Sequence, residues 1–113
     1  MKKINEFTSD PKQNHVFTLE DGTVINITFE YRENQTGWFM SFAYEGREFN
    51  NRRIVTSPNM MRQFKDLLPF GLGCSTLDDG EPIFQTDFSS KRATFYLLNS
   101  DDVQTVEDEI INA

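Results

Sequence analysis

Cysteine and histidine are almost absent from this sequence: its 113 residues include one of each, Cys74 and His15. A lone cysteine excludes an internal disulfide. One thiol and one imidazole are too few to build a structural zinc site without recruiting carboxylates. Any Ser-His-Asp or Cys-His relay would need His15, which falls on a strand edge in the apolar pattern. Cys74, close to Gly71 and Gly73, reads as a small buried hydrophobe rather than a nucleophile. Glycine is sparse too, and Gly71-x-Gly73 is too short, with no following lysine, to cradle a phosphate. Asp78, Asp79, Glu81 and Asp87 offer oxygen ligands, but their spacing is not that of a calcium loop, so a solvated turn is expected. These shortages point away from an enzyme and from any bound metal or cofactor.

Long apolar runs are also missing. Nothing approaches the roughly 20 residues that span a bilayer as a helix, so no membrane partner is expected. The opening MKKINEFTSD has no apolar core of a signal peptide, which leads to the expectation of synthesis and folding in a reducing cytoplasm. Positive charge is the minority sign, 11 Lys and Arg against 18 Asp and Glu, for a net charge of -7. Such a chain repels a phosphate backbone at long range, and no Lys/Arg ladder is interleaved with its aromatic residues. Nucleic acid is therefore disfavoured as a partner, even for a barrel with aromatic platforms.

Aromatic residues are plentiful: 11 Phe, 3 Tyr and 1 Trp. They favour strands and give a small core much buried area per side chain. The densest stretch is 37–56, GWFMSFAYEGREFNNRRIVT. Trp38, Met40, Phe42 and Tyr44 alternate, which predicts a strand with one buried face, and Phe39 and Ala43 occupy the other. Glu45-Gly46 supplies a turn into a second extended run, in which Asn50-Asn51 marks a bulge or widened turn. Upstream, a strand is predicted from about His15 to Glu20. Asp21-Gly22 is a hairpin turn, and Thr23 to Tyr31 is a strand with Ile25, Ile27, Phe29 and Tyr31 on one face.

Downstream, Met60 to Leu68 spaces its apolar residues for two helical turns ended by Pro69, with an extended conformation as the alternative. Phe70 to Leu77 and Lys91 to Leu98 read as strands, with an irregular or edge-like stretch over 82–90 between them. From Ser100 a short helix is predicted, capped by Ser100 or Asp101, with Val103, Val106 and Ile110 on one face. The expected fold is all-β: a small antiparallel sheet, barrel or sandwich of six to seven strands with short helical additions. The expected division is a polar N-terminal arm over 1–13, one β domain over 14–99 and an acidic tail over 100–113.

Charge is segregated. Arg47, Arg52, Arg53, Arg62 and Lys65 make a basic centre, and Asp101, Asp102, Glu107, Asp108 and Glu109 an acidic end. Such asymmetry suits docking on a protein partner or another copy. Trp, Tyr and Arg are also enriched at interface hot spots. With Trp38, Met40, Phe42 and Tyr44 assigned to the core, the expected partner interface is Phe39, Arg47, Arg52 and Arg53.

The order of local features adds a resemblance. Asp21-Gly22 precedes the Trp38-led strand, and a charged turn leads to Arg52-Arg53-Ile54-Val55. Then follow Asn59 to Phe64, Gly71-Leu72-Gly73-Cys74 with a D-G turn, Asp87-Phe88, and a strand from Arg92 to Tyr96-Leu97-Leu98. Over 16–98 this sequence resembles the plug-type baseplate proteins of contractile-tailed bacteriophages, the family of the cyanophage baseplate plug. The resemblance implies a non-enzymatic virion component of the tail baseplate, closing or organising the central tube and spike region. Its implied partners are other baseplate, tail-tube or hub proteins, or copies of itself around the tail axis, assembled in the host cytoplasm. The alternative is a small protein-binding module or tail-assembly chaperone not present in the mature particle.

Overall fold

A computed structural model describes residues 2–4, 7–19 and 22–112. Strands β1 (Lys2–Ile4), β2 (Lys12–Thr18), β3 (Val24–Arg32), β4 (Gly37–Tyr44), β5 (Arg47–Arg53), β6 (Gly71–Thr76) and β7 (Ala93–Leu98) precede helix α1 (Ser100–Asn112). They form two antiparallel sheets, ordered β2-β3-β4-β5 and β1-β7-β6. Neither sheet closes on itself among the described residues, so the all-β expectation resolves to a sandwich.

Period-two patterning explains the four-stranded sheet. Phe17, Ile25, Ile27, Phe29, Trp38, Met40, Phe42 and Phe49 all turn to one buried face, as alternation predicts. Facing them are Leu72, Cys74, Phe95 and Leu97 of the second sheet, in the same core cluster. Phe29 and Phe95 meet edge-to-face across the gap, ring centres 5.2 Å apart. Burying each such ring stabilises by about 1.5–3 kcal/mol.

The hairpins hold the register. Gly22 has φ +91°, and Leu19 closes that turn by donating to the Thr23 carbonyl at 2.8 Å. Its predicted partner, Asp21, lies outside the described residues. In the β4–β5 hairpin, Asn50 and Asn51 together oppose Ser41. Asn51 takes φ +57° and donates its N–H to Ser41 Oγ at 3.0 Å, a bulge that bends the outer strand.

Several expectations need correction. The stretch expected as a polar arm over 1–13 contains all of β1 and the start of β2. Lys3 pairs with Tyr96, and Ile4 and Phe7 are buried. Phe7 stacks on Phe88 at 4.6 Å and meets Phe29 edge-on at 4.7 Å. Two apolar residues among polar ones show no local period, yet a single ring placed between two sheets is enough to anchor the segment.

Met60 to Leu68 forms only a 3₁₀ turn over 62–64 instead of two α-turns. Buried Asn59 directs this outcome: its Oδ1 accepts the N–H groups of Met61 (3.0 Å) and Leu72 (3.2 Å), tying the segment to β6. Gly71 lies against that side chain so closely that a Cβ would sit 2.8 Å from Asn59 Oδ1. The final strand begins at Ala93, because Lys91 adopts φ +68° and ends the preceding turn.

Helix α1 is capped by Asn99, one residue before the expected Ser100 or Asp101. Asn99 Oδ1 accepts from the Asp102 N–H at 2.8 Å, and the Asp102 carboxylate accepts from the Asn99 N–H at 3.2 Å. This reciprocal pair is a capping box. Val106 is buried and Val103 half-buried; the Ile110 side chain lies outside the described residues. The helix contacts β6 and β7. Leu98, paired with Gly71 at the end of β7, is fully buried yet stands apart from the inter-sheet core, and α1 follows it to pack against this end of the three-stranded sheet.

Candidate functional site

Among the described residues no helix or further sheet lies over the outer face of β2-β3-β4-β5. Its sequence pattern is polar with isolated apolar residues, and Val16 and Val24 stand exposed on it. Register places one row straight across all four strands: Lys12 opposite Glu30, Glu30 opposite Phe39, and Phe39 opposite Arg53. Phe39 belongs to this face because its neighbours Trp38 and Met40 point into the core.

Two guanidinium groups pack on the Phe39 ring. Arg32 Cζ lies 4.5 Å and Arg53 Cζ 5.0 Å from its centroid, so the ring is buried although no sheet lies over it. Arg32 Nε donates to Glu30 Oε1 at 2.7 Å, and its other donors reach Gln35 and Asn51. Arg53 donates to the carbonyls of Gln35 (2.6 Å) and Thr36 (3.4 Å). It passes so near the Gly37 backbone that a Cβ there would clash with Nη1. The Arg32 hydrogen bond holds the Glu30 carboxyl below its usual value, helped by the charges of Arg32 and Lys12. Three cations thus surround one carboxylate and one aromatic ring, a positive island on a protein of net charge -7.

Of the four residues expected at an interface, the structure brings Phe39 and Arg53 together. Arg52 points to the other face, its guanidinium 5.0 Å from the centre of the Phe64 ring. Arg47 is exposed beside the hairpin turn, six residues and about 20 Å along β5 from Arg53. Sequence reasoning missed Lys12, Glu30 and Arg32. The available signal was the hairpin register, which aligns them with Phe39 once the two turns are counted.

The residues considered for chemistry sit elsewhere. Cys74 is buried, and desolvation, with the charges of Glu81 and Asp87 adding to it, pushes its thiol up to about 12. A thiol that stays protonated is a poor nucleophile. His15 packs against Phe7, ring centres 5.1 Å apart, with Nε2 2.8 Å from Gln13 Oε1. Of the four carboxylates weighed as calcium ligands, Asp79 is exposed on the turn and the other three are engaged. Asp78 and Asp87 bind Arg92 at 3.0 and 2.8 Å, and Glu81 accepts the Thr56 N–H at 2.8 Å. Among the described residues no group of three or more His, Cys, Asp or Glu is placed to hold a metal.

Comparison with known proteins supplies a family. The family model described as cyanophage baseplate Pam3 plug gp18 matches residues 1–101. The match takes in β1 and the whole sandwich, extending beyond the 16–98 stretch that carries the resemblance. No curated protein matches the chain.

Proposed function

Since the chain belongs to the cyanophage baseplate plug family, we propose that it is a non-enzymatic structural component of a contractile phage tail baseplate. In this reading it closes or organises the central tube and spike region through protein–protein contacts. It resides in the virion and is assembled in the host cytoplasm. Its neighbours are other baseplate, tail-tube or hub proteins, or further copies of itself.

The observation that carries this reading is the family match over both sheets. The outer face of β2-β3-β4-β5 supports it physically: an aromatic ring flanked by arginines, on an open sheet, is the residue combination favoured at interface centres. The contact assignment goes to Phe39 and Arg53, joined by Arg32 and Lys12. Arg47 and Arg52 are left to flanking contacts and to packing. Residues 2–112 act in this proposal as one unit, with β1 and α1 as layers of the sandwich rather than appendages.

Two measurements test the reading. Mass spectrometry of purified virions should find the protein at a fixed ratio to the tail tube, and cryo-electron microscopy should place it at the tail tip. Its absence from intact particles would exclude a structural role and leave the chaperone reading standing. Arg53→Glu should lower incorporation and infectivity. Unchanged assembly with this variant would remove the face from the proposal.

A further inference from the structure

Arg53, Lys12 and Arg32 share the outer face of one sheet, whereas α1 packs against β6 and β7 of the other. The helix carries the opposite charge. Asp101, Asp108 and Glu109 are all exposed, and with Thr105 they occupy positions i, i+4, i+7 and i+8, one stripe of an α-helix. Glu107 is not part of this stripe. It is buried, and Arg62 grips its carboxylate from Nε and Nη2 at 2.9–3.2 Å. Arg62, itself half exposed, is thereby engaged in docking the helix, while Asp101, Asp108 and Glu109 face outward.

The two patches belong to different layers: the row lies on β2-β3-β4-β5, and the helix packs against β6 and β7. We infer that they meet between molecules: the Lys12–Glu30–Phe39–Arg53 row of one copy receives the acidic stripe of α1 from the next copy, head to tail. This rests on the partner face assigned above and names its occupant as a second copy of the chain.

The dimensions agree. A row across four strands is about 14 Å long at roughly 4.8 Å per strand. Asp101 to Glu109 covers about 12 Å at 1.5 Å per residue. A helix laid along the row therefore sets its acids against Lys12, Arg32 and Arg53 together. Because different patches are used, the contact is heterologous, and it produces a ring if the rotation closes or an open stack if it does not. The overall charge of -7 opposes association at long range, so the complex depends on local pairing and is sensitive to salt.

The test uses the full chain in sedimentation velocity across a concentration series, at low and at high salt. The wild type should self-associate at low salt and dissociate at high salt. Arg53→Glu (altered row, intact helix) and the double variant Asp101→Lys/Asp108→Lys (intact row, altered helix) should each be monomeric. Each should retain the wild-type circular dichroism and melting profile. Mixed together, they should associate, joined by the one wild-type contact available between them. A wild type that stays monomeric throughout, variants that associate as well as wild type, or a mixture that does not associate would each overturn the inference. The baseplate reading is scored separately, by the presence of the protein in virions, so a monomeric protein found there would sink only the head-to-tail contact.

Discussion

Two regions of this molecule use the same chemistry, an arginine beside a carboxylate and a phenylalanine, to opposite ends. In the segment 78–92, Arg92 reaches across to Asp78, to Asp87 and to the Glu81 carbonyl, with its guanidinium 5.8 Å from the Phe84 ring. Asp87 is only 2 % exposed and also accepts the Phe84 N–H at 2.8 Å. The segment is fastened to the four-stranded sheet by Tyr31, whose hydroxyl donates to the Ile83 carbonyl at 2.8 Å. Trp38 adds a second tie, its Nε1 donating to the Phe84 carbonyl at 3.1 Å. Two carboxylates answer one guanidinium, and Phe88 is sealed into the core behind them. On the outer face, three cations answer one carboxylate, and the ring they cover faces no second layer. The first cluster closes the protein on itself; the second leaves charge over for something else.

Breaking the closed cluster should cost most. Arg92→Ala strands the buried Asp87 carboxylate, so unfolding in urea should show a larger loss of stability than any single change on the outer face. Replacing both partners with apolar residues, Asp87→Leu with Arg92→Met, should recover part of that loss; no recovery would mean that the segment depends on the pair for its shape. Phe39→Ala should cost less, about 2 kcal/mol from lost burial and two cation–π contacts, read from the same denaturation curves. Arg53→Ala should change stability by no more than about 0.5 kcal/mol. If it costs as much as Arg92→Ala, the outer face is a structural cluster and the comparison collapses.

The mildest probe is acid. The Glu30 carboxyl is held below its usual value by the hydrogen bond from Arg32, and that of Asp78 by the Gly80 N–H and Arg92. A carboxyl whose pKa is lower in the folded state contributes fully above its unfolded value, here 4.5 for Glu30 and 3.8 for Asp78. That contribution is lost as pH falls through the lower folded values. Melting temperature should therefore begin to drop below about pH 4.5, and Glu30→Gln should reduce the slope of that drop only slightly, because this carboxylate sits near solvent.

Much of the fold was legible from side-chain period. Ile25, Ile27 and Phe29, then Trp38, Met40 and Phe42, alternate because each strand has one face on the core, and that constraint is written into the local sequence. The bulge at Asn50-Asn51 was legible for a related reason: asparagine tolerates the positive φ that Asn51 adopts. Phe7 and β1 were not legible, since their partners lie in other strands and β7 is some ninety residues away. Arg52 and Arg53 looked equivalent as a pair, yet consecutive strand residues face opposite ways, and only the register shows which one shares a face with Phe39.

By itself the sequence determined the class of fold, the set of inward-facing strand residues, the acidic character of the helix and the shortage of groups for catalysis. These depend on composition and on periods of two to four residues. Tertiary structure decided that two sheets enclose the core without closing into a barrel, that the N-terminal stretch is a strand, and that Lys12, Glu30, Arg32, Phe39 and Arg53 form one patch. Those outcomes depend on pairings between distant segments, whose energy comes from burial and hydrogen bonds that no single stretch of chain contains.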